Sequence, residues 1–297
     1  MPAFPDTVLN RTKSAAMKII ECPRDAWQGH HSFIPTEHKI QYLNLLLQVG
    51  FDTLDFGSFV SPKAMPQVSD TKTIVERLDL AESSTKLLAI VANERGAADA
   101  CEFEEITYLG YPFSISETFQ FRNTNSSIKM SLERVKAIQA LCVKHRKELV
   151  IYISMGFGNP YNDPWSPELA LRWVDELARL GIRIFSLSDT VGVAKEDDIK
   201  SIFSELINSR PDLEFGGHFH TVAMDWRRKI EAAYSADCRR FDGAIMGYGG
   251  CPMAQDDLVG NMPTERLLEY AKEKQELLSI NQEVLREATR LFARLVG

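Results

Sequence analysis

Short apolar runs alternate along the chain with longer stretches whose apolar residues recur every three or four positions. The short runs read as strands: MKIIEC (17–22), DTLDFG (52–57), KLLAIVA (86–92), EITYLG (105–110), LVIYIS (149–154), IRIFSLS (182–188), EFGGHFH (214–220) and FDGAIMG (241–247). Helical periodicity follows most of them. It covers Thr36–Val49, then LERVKAIQALCVKHRKE (132–148), then PELALRWVDELARLG (167–181) with its glycine stop. Eight strand–helix units at roughly 30-residue spacing imply parallel βαβ repeats, and about 250 residues is the size of a (β/α)₈ barrel. The expected fold is therefore α/β, a (β/α)₈ TIM barrel; a doubly wound open sheet is the alternative. No GxGxxG follows the first strand, which removes the commonest nucleotide-binding form of that alternative.

No Gly/Ser/Pro-rich linker divides the chain, so residues 1–297 read as one barrel domain, with 275–297 as a C-terminal helical extension. A helix is expected from about Pro263 and another over NQEVLREATRLFARLV (281–296). In that last helix Val284, Ala288, Leu291 and Leu295 form one apolar stripe, which should pack on the barrel or on a second subunit.

Composition narrows the function more than the fold. The net charge of −7 lacks the basic footprint of a nucleic-acid partner, and no apolar run approaches a membrane span. Five cysteines (22, 101, 142, 238 and 251) are dispersed without a CxxC pair, and the first residues lack the apolar core of a secretory leader. Both features point to a reducing, cytoplasmic setting.

The candidate chemistry lies at strand ends. His218 and His220 sit two residues apart on one strand and so face the same way, into the mouth of a barrel if the barrel forms. The pair suits a shared divalent cation and equally suits two hydrogen-bonded imidazoles. Arg24, Asp25 and Gln28 follow the first strand; Asp25 could complete a metal shell and Arg24 could hold an oxyanion, or the two could be a surface ion pair. In GYGGCPMAQDDLVGN (247–261), Cys251 on a glycine-flanked loop could exchange a proton, or be an inert thiol, and Asn261 offers an amide oxygen to a hard cation. Ser186, Ser188 and Asp189 close the sixth strand, with a capping Asp-Thr as the plainer reading.

Several motifs then fall in a familiar order. SFVSPKAMPQVSD (58–70), PRDAWQ (23–28), FSISETFQFRNTNSSI (113–128), FSLSDTVGVA (185–194), GGHFHTVAMDW (216–226) and GGCPMAQDDLVGNMPTERL (249–267) resemble those of hydroxymethylglutaryl-CoA lyases. The resemblance spans about residues 17–273 and implies a barrel of the metal-dependent lyase and Claisen-condensing superfamily. By position it implies Asp25, His218, His220 and Asn261 as metal ligands, with Mg²⁺ or Mn²⁺ as the cation. It implies Arg24, Asp25, Asp189, His218 and Cys251 as catalytic groups, and Gln28, Asp55 and Ser186 near the substrate. The implied substrate is an acyl-CoA thioester of the 3-hydroxy-3-methylglutaryl type, cleaved to acetyl-CoA and acetoacetate. A Claisen condensation of acetyl-CoA with a keto acid and a non-catalytic acyl-CoA-binding barrel are the competing readings; a homodimer is compatible.

Departures from the family pattern sit close to this site. Ala26-Trp27 replace Gly-Leu, and a tryptophan there is expected to narrow the pocket; Asp55 stands for a glutamate. Thr221 replaces an aspartate that could orient an imidazole, Asp256 and Asp257 enter the cysteine loop, and MGFGNPYND (155–163) lacks the family's cysteines.

Overall fold

The computed structural model describes residues 16–250 and 259–297. Eight parallel strands close in sequence order into a barrel. They are β1 (Lys18–Glu21), β2 (Thr53–Ser58), β3 (Lys86–Ile90), β4 (Ile106–Ser114), β5 (Glu148–Ser154), β6 (Ile184–Asp189), β7 (Glu214–Phe219) and β8 (Arg240–Gly243). The seam is made by β8 against β1, with Lys18 opposite Arg240 and Glu21 opposite Gly243. That closure excludes the open sheet. Every apolar run becomes a strand, but the eighth stops early: Ile245–Gly247 turns into a 3₁₀ segment, with Met246 at φ +63°. The buried Glu21 carboxyl group meets the Ile245 N–H (2.9 Å) and the Thr264 hydroxyl (2.5 Å), bending the chain across the barrel mouth.

The helices are α1 (Pro23–Trp27), α2 (Thr36–Val49), α3 (Thr71–Val75), α4 (Glu94–Cys101), α5 (Glu117–Thr124), α6 (Ile128–His145), α7 (Pro167–Ala178), α8 (Glu196–Ser209), α9 (Trp226–Ser235), α10 (Thr264–Glu273) and α11 (Gln282–Val296). None is long and apolar enough to cross a membrane. Local chemistry sets the ends. Ser166 caps α7 by accepting from the Leu169 N–H, with Pro167 pre-set at the first helical position. Gly50 ends α2 at φ +94°, where any side chain would collide with the Ser279 carbonyl.

Inside the barrel, Leu88, Tyr108, Val150, Tyr152 and Ile184 form a small core of their own. At one end of it Glu214 bridges Lys18 (2.6 Å) and Arg240 (3.3 Å). The larger core lies between strands and helices. The last helix docks on its own barrel: Leu285, Ala288, Leu291 and Phe292 are buried, and Phe292 stacks on Tyr42 of α2 at 5.1 Å. The buried stripe is thus rotated from the expected one, since Val284 and Leu295 are only half-buried.

The SFVSPKAMPQVSD stretch serves as a clasp. Gln67 accepts from the Ile34 N–H (2.9 Å) and donates to the Ser32 carbonyl (2.8 Å). Asp70 holds the buried ammonium of Lys39 at 3.0 Å, and Lys39 also donates to the Gln67 carbonyl. These bonds fix the connection between α1 and α2, and with it the short helix that carries Arg24 and Asp25.

Candidate active site

β1 ends at Glu21 and Pro23 opens α1 after Cys22, so Arg24 and Asp25 leave the strand on a helical turn at the barrel's C-terminal end. Arg24 is held on both sides. Its Nε donates to Asp55 Oδ1 at 3.1 Å, and its Nη2 to the other Asp55 oxygen; Nη1 reaches Asp25 Oδ1 (3.0 Å) and Gln28 Oε1 (2.9 Å). Gln28 in turn donates to Asp25 Oδ1 at 2.6 Å. One oxygen of Asp25 is therefore committed. The other, Oδ2, is buried without a hydrogen-bond partner and lies 4.0 Å from His218 Nε2.

His218 and His220 face Asp25 from β7 and the residue after it, their ring centroids 5.3 Å apart. One ligand atom from each of Asp25, His218 and His220 falls within 4.8 Å of the others. Asn261 joins them from the segment after β8. It pairs with His220 across an isolated bridge, its Nδ2 donates to the Tyr248 carbonyl (2.9 Å), and it is close enough to Asp25 to help keep that carboxyl ionised. A bare buried carboxylate oxygen is unfavourable on its own and is what a cation would satisfy. The residues fit a divalent metal.

The electrostatics divide the two imidazoles. Burial depresses both, but a hydrogen bond to Asp242 Oδ2 (3.0 Å) and that carboxylate's charge hold His218 above the usual histidine value. His220 has only the Thr190 backbone as acceptor, and burial beside His218 pushes it down to about 4. It is neutral at pH 7, as a metal ligand must be. Burial would raise Asp25; Arg24, the two imidazoles and Asn261 outweigh it and keep the carboxyl below its ordinary range. Burial lifts Asp55 to about 6 despite Arg24, so it remains ionised at neutral pH.

Several residues expected at the substrate lie elsewhere. Asp55 is buried with both oxygens on Arg24, so it positions that guanidinium. Ser186 is 0% exposed, and its hydroxyl lies 3.4 Å from Asp242, beneath the histidines, because it sits three residues short of the end of β6. Asp189 is buried against Lys229 Nζ (2.5 Å) and the Ala194 N–H (3.0 Å). Lys229 also donates to the His220 carbonyl (2.7 Å), so this pair fixes the end of β7. Trp27 does not narrow the mouth: the turn of α1 carries it into the outer core, 1% exposed and edge-on to Tyr42. Cys251 lies outside the described residues.

Asp242 is the residue that sequence reasoning missed. It stands directly beside His218 in the β7–β8 register and supplies the orienting carboxylate that the change to Thr221 seemed to remove. The signal was an acid inside the apolar run FDGAIMG. Lys229 was equally unread, a lysine on the buried face of α9 beside Ile230 and Ala233.

The family model described as HMGL-like matches residues 17–292. The hydroxymethylglutaryl-CoA lyase YngG of Bacillus subtilis is 29% identical over 275 residues, covering 93% of this chain and 91% of that protein. A 3-hydroxy-3-isohexenylglutaryl-CoA/hydroxymethylglutaryl-CoA lyase of Pseudomonas aeruginosa is 30% identical over 255 residues, covering 85% of this chain and 83% of the relative. Among solved structures, an HMG-CoA lyase from Acinetobacter baumannii in complex with coenzyme A and 3-methylmalate superposes with a TM-score of 0.88 at 28% identity. It covers 96% of this chain and 93% of its own.

Proposed function

The chain belongs to the HMGL-like family of carbon–carbon lyases, and we propose that it cleaves a 3-hydroxy-3-methylglutaryl-type thioester of coenzyme A. For the methyl compound the products are acetyl-CoA and acetoacetate. The observation that carries this reading is the meeting of Asp25, His218 and His220 around a bare carboxylate oxygen, with Arg24 at hydrogen-bond distance.

In this reading Asp25, His218, His220 and Asn261 hold the cation. Their oxygen and nitrogen donors, without a thiolate, suit Mg²⁺ or Mn²⁺. When bound, the cation supplies Lewis acidity that lowers the pKa of the substrate's tertiary hydroxyl. Asp25 takes the hydroxyl proton on a remaining carboxylate lone pair, while His218, braced by Asp242, keeps its one lone pair for the cation; the C2–C3 bond breaks, the C3 oxygen becomes the ketone of acetoacetate, and the bonding pair stays on C2 as an enolate. Arg24, immobilised by Asp55 and Gln28, faces the developing enolate charge without needing to reorganise. Cys251 returns a proton to C2, completing acetyl-CoA. Asp189 acts through Lys229 and the backbone of His220.

Incubating the protein with Mg²⁺ and 3-hydroxy-3-methylglutaryl-CoA should release acetyl-CoA and acetoacetate in equal amounts. A panel of 3-alkyl homologues then identifies the preferred acyl group. Absence of both products across the panel overturns the proposal.

A further inference from the structure

His218 presents two nitrogens to two different sets of ligands. Nε2 looks toward Asp25, whereas Nδ1 meets Asp242. Close to both His218 and Asp242 lies Cys22, the residue between β1 and α1. Its Sγ, a ring nitrogen of His218 and a carboxylate oxygen of Asp242 all lie within 4.8 Å of one another. Cys22 and Asp242 are 1% and 2% exposed. The thiol has only a long contact, 3.6 Å, to the Ile20 carbonyl. Asp242 Oδ1 has no hydrogen-bond partner at all, so a second fully buried carboxylate oxygen stands bare on this side of the histidine.

We propose that Cys22, His218 Nδ1 and Asp242 form a separate, sulfur-containing cation site that takes Zn²⁺ or a similarly thiophilic divalent ion. Thiolate, imidazole and carboxylate are zinc's own ligand set, and three protein ligands leave a fourth position for water. Mg²⁺ has no preference for such donors. Burial, together with the charges of Asp242, Asp55 and Asp25, holds the Cys22 thiol well above its ordinary range, so it stays protonated until a cation joins these acids. On binding, the thiol releases its proton to solvent and the thiolate joins the ion.

Occupancy of this site switches off the other. A neutral imidazole has one lone pair. Holding the activating cation requires that pair on Nε2, with the Nδ1 proton on Asp242. Holding Zn²⁺ below requires it on Nδ1, which moves the ring proton to Nε2. The two arrangements are opposite tautomers and exclude each other. This competition rests on His218 being a ligand of the activating metal; the sulfur site does not.

Cobalt(II) is the probe, because a sulfur–cobalt bond gives a near-ultraviolet charge-transfer band. The full-length protein should show the band on Co²⁺ addition and lose it when Zn²⁺ is added. Cys22→Ser should abolish it and Cys251→Ser should retain it; Cys22→Ala serves if the serine variant fails to fold. Absence of the band in the unaltered protein, or its loss only with Cys251→Ser, overturns the site. Calorimetry with Mn²⁺ separates the two claims. Cys22→Ser should bind Mn²⁺ as the unaltered protein does, and more Zn²⁺ should be needed to expel it. An unchanged Zn²⁺ requirement overturns the competition, and a band without any Mn²⁺ binding removes only the reading of the upper site.

Discussion

Two histidines two residues apart differ in proton affinity because their outer nitrogens meet different acceptors, a carboxylate for His218 and a backbone carbonyl for His220. Replacing that carboxylate tests the bracing directly. Asp242→Asn should cost about 10–100-fold in Mn²⁺ affinity or turnover, read by calorimetry and product assay, and unchanged values would deny Asp242 a part. Asp25→Asn should weaken Mn²⁺ binding, since it neutralises the bare oxygen. His218→Ala and Cys251→Ala should each abolish turnover while circular dichroism shows the fold retained. Lys229→Met leaves Asp189 charged and unpaired in the interior and should destabilise the protein by roughly 3–5 kcal/mol in urea unfolding. Adding Asp189→Leu should recover much of that loss.

At the level of elements, Phe292→Ala should cost about 3–5 kcal/mol, because its ring fills the joint between α11, Tyr42 and Tyr248. A melting temperature indistinguishable from the parent would mean that α11 contributes nothing to the barrel. Strands and long helices were legible in the sequence because their periodicities are local: α2 runs over the residues that the pattern marked. The common direction of His218 and His220 was legible through their two-residue alternation. What stayed hidden was register and rotation. Asp242 meets His218 only because β7 and β8 align those two positions, and Lys229 meets Asp189 across forty residues. Trp27 was misplaced for the same reason, since a one-turn helix after β1 aims it outward where a continued strand would have aimed it at the mouth.

For the whole molecule, the buried Glu21 ties the first strand to the segment beyond the last, and burial raises its pKa from 4.5 to about 8. The folded state therefore holds this proton more tightly than the unfolded chain. The resulting stabilisation is full below pH 4.5 and is lost as pH rises through about 8. Glu21→Gln should flatten the fall in melting temperature across that window; an undiminished slope would assign it to other groups. The same seam has a bearing on biosynthesis. Asp25 emerges from the ribosome long before His218, His220 and Asn261, and β1 stays unpaired on one side until β8 is made. If these four residues hold an ion as proposed, its capture is among the last events of folding, and a nascent chain truncated ahead of β7 would have no means of retaining it.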